Sequence, residues 1–248
     1  MSGDRAIAPS DREQATREHL ASLFAERPIP AEDLLDHLEL FMRPQRIAEI
    51  LALQELYTHV LDVHGIIVEF GVRWGRHLSV FNALRNYHEP TNFYRKIVGF
   101  DTFTGFSKPA PEDGRSDRVF EGSMSVAPGY EAYLSQILAL HEAETAMSHI
   151  QRFELCKGDA PVELAKYLAR NPETIVALAY FDMDLHDPTK ECIELLRPHM
   201  PAGSVLAFDE LMHPDFPGEA VALKSALDIT QHRIRRLPRS PYPAYIVL

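Results

Sequence analysis

The sequence predicts a doubly wound α/β fold: a seven-stranded, mostly parallel sheet with helices on both faces and an N-terminal helical extension. Three observations predict it. Short β-branched and aromatic runs recur between residues 65 and 208, most of them ending at a glycine or an acidic residue. Helix-patterned stretches separate these runs, and such alternation gives a parallel sheet covered on both sides. With 248 residues, 46% of them hydrophobic and 25% charged, the chain suits one large core but not two full enzymatic domains.

The extension, residues 1–62, comes first. Ser10 followed by Glu13 fits a capping box, and Leu20, Leu23 and Phe24 supply an apolar stripe. Pro28 and Pro30 break that helix. Residues 31–42 and 45–62 read as two further helices, the second with a broad apolar face of Ile47, Ile50, Leu51, Leu53, Leu56, Val60 and Leu61. This face must be buried on the main domain or on another subunit, so a homodimer or larger homo-oligomer is expected.

The main domain spans residues 63–248. Its parallel strands are expected at Gly65–Gly71, Lys96–Phe100, Arg152–Cys156, Ile175–Phe181 and Ser204–Phe208. Helices are expected at 76–87, 129–147, 160–170, 188–197 and 217–229. Two last strands, near 232–237 and 244–248, joined by the turn from Pro238 to Pro243, would form an antiparallel edge. Residues 104–128, rich in Pro, Gly, Ser and charge, interrupt the rhythm after the second strand. A loop of that length at the ligand-binding edge of a sheet reads as an active-site lid.

Composition narrows the function. A net charge of −11 argues against general nucleic-acid binding, which rests on Lys and Arg. The basic cluster Arg233, Arg235, Arg236 and Arg239 reads first as a solvated strand face, with phosphate contact the alternative. Cys156 and Cys192 have neither metal-site spacing nor a disulfide framework and read as small buried hydrophobes. Neither a hydrophobic signal segment nor an apolar run near the ~20 residues of a membrane span is present, so a cytoplasmic protein is expected.

Chemistry concentrates at the strand ends. Glu69 closes the first strand, and Gly71 and Gly75 open the helix after it; glycines there let backbone approach a ligand, or serve a purely structural turn. Asp101, ending the second strand, can accept hydrogen bonds from a ribose diol. The first turn lacks the G-x-G-x-x-G that a dinucleotide pyrophosphate wants. Glu69 instead suits a cofactor with a cationic amino-acid end, such as S-adenosylmethionine. Asp159, after Gly158, can meet an adenine edge or equally cap the helix at 160. Asp182 and Asp184 in FDMDLHD end the fourth strand, and Asp209 and Glu210 in AFDEL end the fifth. Carboxylates converging there would repel one another without a cation, and an all-oxygen set favours Mg²⁺ over Zn²⁺. His186 and His213 are general-base candidates, each with a structural or surface role as the alternative; His199 is a weaker third.

In these residues the chain resembles the macrocin-type sugar O-methyltransferases, whose members also modify aminocoumarin and enediyne sugars. RIAEILALQELYTHVLDVHGIIVEFGVRWG, VGFDTFTGF, YFDMDLHDPTKECIELLRPHMPAGSVLAFDEL and FPGEAV carry the resemblance, from about Arg46 to Leu227. It implies a Rossmann-like class I methyltransferase fold, S-adenosylmethionine and a bound Mg²⁺. It further implies that Glu69, Gly71 and Gly75 lie against the methionine part, that Asp101 holds the ribose, and that Phe103 and Asp159 lie near the adenine. Asp182, Asp209 and Glu210 would bind the metal, with Asp184 a metal neighbour or the base. The chain departs from the family in three places. Arg73 and Trp74 are exchanged and His77 follows, the second acid after the fifth strand is Glu210, and residues 107–150 match poorly.

The expected reaction is methyl transfer to a hydroxyl of a small-molecule sugar or glycoside, with Asp184, His186 or His213 taking the proton. The competing readings are O-methylation of a catechol-like aromatic diol, an NAD-linked sugar-modifying oxidoreductase and a cofactor-binding protein without turnover.

Overall fold

The structure, a computed structural model, describes residues 10–238, 240 and 243–248. Arg239 of the basic cluster, part of the proline-rich turn and the polar N-terminal segment through Pro9 lie outside the described residues. Two compact units meet in sequence between Ile50 and Leu51.

In the first unit, α1 (Asp11–Ala25) starts at the expected capping box. Ser10 Oγ accepts from Glu13 N at 3.3 Å, and Ser10 N donates to Glu13 Oε2 at 3.0 Å. No residue of α1 is buried. The helix expected over 31–42 is instead a short α2 (Ala31–Leu35) followed by a 3-10 turn, Leu38–Phe41. The break has a local cause. His37 Nδ1 takes the Asp33 carbonyl at 2.7 Å, the partner His37 N would need to continue the helix, so that amide turns to Leu34 O. Helix α3 (Pro44–Thr58) crosses into the second unit. It stops short of residue 62 because Arg95 captures the carbonyls of Val60, Val63 and Gly65 at 2.5–2.9 Å.

The second unit holds a seven-stranded sheet ordered β3-β2-β1-β4-β5-β7-β6. Its strands are β1 (Ile66–Phe70), β2 (Ile97–Asp101), β3 (Phe153–Lys157), β4 (Val176–Phe181), β5 (Val205–Phe208), β6 (Arg235–Arg236) and β7 (Ala244–Val247). The first five are parallel, and β7 runs antiparallel to both β5 and β6. The order reverses between β1 and β4, which opens a crevice at their carboxyl ends, where doubly wound sheets bind ligands. Alternate side chains feed two apolar layers. Ile66, Val68 and Phe70 enter one and Ile67 the other. The helices are α4 (Arg76–His88), α5 (Tyr130–Ala143), α6 (Ala160–Arg170), α7 (His186–Leu196) and α8 (Gly218–Ala226). Cys156 and Cys192 are buried in the first layer, as small hydrophobes. Arg233, Arg235 and Arg236 are exposed. Among the described residues no helix is long and apolar enough to cross a membrane.

Four phenylalanines align the strand ends. Phe70 pairs in register with Phe100 and with Phe181, and Phe181 with Phe208. Their rings stack at 5.0–5.1 Å. The residues that follow them are Gly71, Asp101, Asp182 and Asp209, so the chemistry-bearing groups leave the sheet along one line.

Away from that line, at the start of β3, two fully buried arginines share one carboxylate. Glu142 on α5 pairs with Arg85 and takes the Arg152 backbone N–H at 3.1 Å. Arg85 also donates to Arg152 O at 2.7 Å, and Arg152 to Asn86 Oδ1 at 2.9 Å. Removing one partner of such a buried set leaves uncompensated charge. We therefore expect Glu142→Ala to lose about 3–5 kcal/mol in urea unfolding.

Candidate active site

Glu69 is the second-to-last residue of β1 and is fully buried. Both its carboxylate oxygens are buried without a hydrogen-bond partner. Burial pushes this carboxyl above the usual range, against a partial downward pull from His77 and Arg76. The His77 ring, 3.6 Å from Glu69 Oε1, is too far to complete a hydrogen bond to it. Beside it, Gly71 has φ +88°, and a Cβ there would meet Asp182 O at 1.8 Å, so β1 and β4 can turn away side by side only because this residue is glycine. Gly75, at φ +80°, caps α4, and its missing Cβ makes room for Leu134.

Asp101 organises the next turn. Its Oδ2 accepts from Arg73 N at 2.7 Å and its Oδ1 from Phe103 N at 2.5 Å. Both donors sit in the left-handed region, Arg73 at φ 48° and Phe103 at φ 57°, a conformation that costs a non-glycine residue about 1–3 kcal/mol. Burial raises the Asp101 carboxyl, and these backbone donors offset part of the rise. Phe103 is buried in the core. Asp159 Oδ1 accepts from Val162 N at 3.4 Å and so caps α6, while Gly158 N donates to Asp101 O at 2.9 Å and brings that turn to the end of β2.

The acidic ends of β4 and β5 meet the β1 side through His77, a residue whose position the sequence marked only as a departure from the family. Its Nδ1 lies 3.6 Å from Glu69 Oε1 and 3.5 Å from Asp182 Oδ2. Its Nε2 accepts from Arg76 Nε at 3.2 Å, which leaves the ring proton on Nδ1, aimed between the two carboxylates. A His77 ring nitrogen and an Asp209 carboxylate oxygen lie within 4.8 Å. Tyr180, its ring tilted against His77 at 4.8 Å, donates its hydroxyl to Asp209 Oδ1 at 2.5 Å. Glu69, His77, Asp182 and Asp209 thus form one cluster. With the imidazole acting as donor, the groups left to hold a cation are all oxygens, a set that fits Mg²⁺.

The remaining candidates flank this cluster. Glu210 is buried with its Oε2 3.9 Å from His213 Nε2. His213 Nδ1 accepts from Asp215 N at 3.2 Å, which places the proton of the neutral ring on Nε2. His186 opens α7, its Nδ1 2.7 Å from Asp187 Oδ1. His199 is elsewhere: its Nδ1 donates to Thr174 O at 3.1 Å, just ahead of β4, at the opposite end of that strand from Asp182. Asp184 has φ 61°, and its backbone N–H reaches Glu219 Oε1 at 3.4 Å. Glu219 is wholly buried on α8, and burial together with the nearby Asp184 and Asp209 raises its carboxyl well above normal.

The insertion at 104–128 is an Ω-loop with a closed neck. Phe106 N donates to Ser123 O at 2.8 Å and Gly122 N to Phe106 O at 2.9 Å. Arg118 lies over the Phe216 ring at 4.7 Å, which seats the loop on the segment after β5. Nothing in the sequence alone identified Tyr180, Asp113 or Glu219 as part of this region; FPGEAV was visible as a motif without a role.

Comparison with solved structures places this architecture. The crystal structure of CalS11, a calicheamicin methyltransferase, superposes with a TM-score of 0.94 at 43% identity, over 100% of this chain and 98% of that one. The apo structure of CalS11, described as a TDP-rhamnose 3′-O-methyltransferase of calicheamicin biosynthesis, gives 0.86 at 42% identity, over 97% and 96%. The O-methyltransferase NovP shares the fold at a TM-score of 0.58 and 16% identity, over 81% and 79%. No protein-family model matches the chain, and no curated protein matches it.

The orphaned Glu69 carboxylate makes a specific demand on binding. Its pKa is raised, so it favours the apo fold at pH below the ordinary carboxylate range, and that contribution is lost as pH climbs through the raised value. A bound ammonium favours the ionised form, so affinity should fall as pH drops through the same window. In calorimetry with S-adenosylhomocysteine, Glu69→Gln should weaken binding about tenfold to a hundredfold and flatten this pH dependence.

Proposed function

The chain belongs to the S-adenosylmethionine-dependent sugar O-methyltransferases of which CalS11 is a member, and we propose that it methylates a sugar hydroxyl of a nucleotide-linked or glycosylated acceptor with the help of Mg²⁺. The observation that carries this reading is the pairing of two acidic subsites. One is Glu69 at β1, whose buried carboxylate oxygens accept no hydrogen bond, and the other is the Asp182 and Asp209 pair at β4 and β5, with the His77 ring between them.

Bound S-adenosylmethionine supplies a methyl group on a positively charged sulfur, and bound Mg²⁺ supplies a charge that makes a nearby hydroxyl more acidic. The chain's own residues do the rest. Glu69 receives the cofactor's ammonium in the space that the glycine at 71 keeps clear, and Gly75 starts the helix beside it. Asp101 keeps lone pairs for the ribose hydroxyls while fixing the backbone on either side, and Phe103 and Asp159 border the adenine. Asp182, Asp209 and Glu210 hold the metal, Tyr180 orients Asp209, and His77 donates toward Asp182 instead of competing for the ion.

Asp184 is the proton acceptor in this reading. His213 is less suited, because its Nδ1 already accepts from Asp215 N and its Nε2 carries the proton of the neutral ring; His186, whose Nδ1 donates to Asp187 and so leaves Nε2 to accept, is the alternative base. The Asp184 carboxylate would take the proton of the acceptor hydroxyl as that oxygen receives the methyl group the cofactor would supply, S-adenosylhomocysteine being the leaving product. Most of the acceleration comes from holding oxygen, carbon and sulfur in line.

Sequence kinship with a TDP-rhamnose enzyme makes a deoxythymidine-diphosphate deoxysugar the first acceptor to try. A homo-oligomer belongs to the same reading, since Leu51 and Leu61 stay exposed on the apolar face at the start of the second unit. With TDP-rhamnose as acceptor, we expect EDTA to abolish methyl transfer and Mg²⁺ to restore it. Asp209→Ala should lower kcat about a hundredfold or more. Full turnover in EDTA, or in Asp209→Ala, removes the metal from the mechanism.

A further inference from the structure

The segment between β4 and α7 carries Asp184 in a strained conformation, and two buried carboxylates from distant parts of the chain grip its backbone. From α8, Glu219 Oε1 accepts from Met183 N at 3.0 Å and from Asp184 N at 3.4 Å. From the Ω-loop, Asp113 Oδ1 accepts from His186 N at 2.6 Å, and its Oδ2 accepts from Ala110 N at 2.7 Å within the loop itself. Both side chains are almost completely buried. Gly218 seals the joint. A Cβ there would lie 2.3 Å from Asp184 O, 2.5 Å from Asp113 Oδ1 and 2.7 Å from His186 N, so only glycine lets α8 begin against both partners.

We propose that Asp113 and Glu219 are positioning residues for the transfer reaction, a two-sided clamp that sets Asp184 and couples its placement to the docking of the Ω-loop over α7. The chemistry follows from what the carboxylates bind. They touch backbone N–H groups rather than solvent, so they hold Asp184 without being spent on a ligand. A left-handed non-glycine residue persists only where its surroundings over-determine it. Met183 and Asp184 lose their shared acceptor if Glu219 goes. His186 loses its N-terminal acceptor if Asp113 goes, and with it the bond joining loop to helix. Because the Ω-loop is bonded to the first amide of α7 through Asp113, an acceptor that seats the loop also seats the proton acceptor. The inference rests on Asp184 being that acceptor.

The two carboxylates differ in a way that makes the clamp testable. Glu219 uses one oxygen for both of its N–H partners, and its Oε2 has no hydrogen-bond partner. Glu219→Gln keeps the working oxygen and should retain kcat, whereas Glu219→Leu should lose it about tenfold to a hundredfold. Asp113 spends one oxygen on each partner, so Asp113→Asn can serve only one N–H and should lose kcat, as should Asp113→Ala.

Each variant is assayed for kcat and acceptor KM, for S-adenosylhomocysteine affinity by calorimetry, and for trypsin cleavage after Arg115, which is exposed on the loop. The expected result is a fall in kcat with cofactor affinity unchanged, plus faster cleavage in both Asp113 variants. Equal activity of Glu219→Gln and Glu219→Leu overturns the proposal, and so does Asp113→Ala with native kcat and native cleavage. Should Glu219→Leu fail to fold, the Asp113 pair decides by the same criteria. A wild-type enzyme that binds the cofactor product yet methylates no sugar rejects the functional reading instead; the Asp113 cleavage rates then judge the loop joint by themselves.

Discussion

Register between the four central strands is the constraint on which the rest of the molecule depends. Phe100, Phe70, Phe181 and Phe208 stack across β2, β1, β4 and β5, each in register with its neighbour. Each contact adds roughly 0.5–1.5 kcal/mol beyond burial. Its larger effect is geometric. A slip of one residue in β4 would move Asp182 by about 3.3 Å and turn its neighbours to the wrong face. Two carboxylates proposed to hold one ion have no tolerance for such a shift. The aromatic ladder therefore sets, one position upstream, where Asp101, Asp182 and Asp209 emerge.

Strain is concentrated at the same edge and is relieved by one recurring device. Arg73, Phe103 and Asp184 are three of the four described non-glycine residues with positive φ. Each gives its backbone N–H to a carboxylate: the half-buried Asp101 serves the first two and the buried Glu219 the third. A charged or strongly polar acceptor gives a stronger hydrogen bond than a neutral one, which suits backbone that would otherwise relax. Asp101 fixes the turn that follows β1 and the turn that follows β2 together, so one side chain organises both.

Much of this was legible in the sequence because it is local. Glycine after a β-branched run, an acid after an aromatic, and helices between strands name the sheet and most of the polar residues at its carboxyl edge. The order of strands in a doubly wound sheet then brings Glu69, Asp182 and Asp209 together. What stayed hidden depends on partners far apart in sequence. His77 reads as one more helix residue until Tyr180 and Asp182 are placed beside it. Asp113 sits in a loop whose composition says only that it is a loop, and its partner His186 lies on the far side of two strands and two helices. The arginines at 85 and 152 look like surface charge until Glu142 is found between them. The helix expected over 31–42 failed for a different reason. A side chain, His37, competed for a backbone carbonyl, and periodicity does not register such competition.

The narrow neck of the Ω-loop carries an evolutionary consequence. Two hydrogen bonds at Phe106, Gly122 and Ser123 close it, so its interior can change length or composition at little entropic cost to the sheet. Some fifteen residues can then be rewritten, as in any scaffold with interchangeable loops, while the sheet they leave from is inherited unaltered. The constraint on such rewriting is modest: an acidic side chain must still land on the first amide of α7.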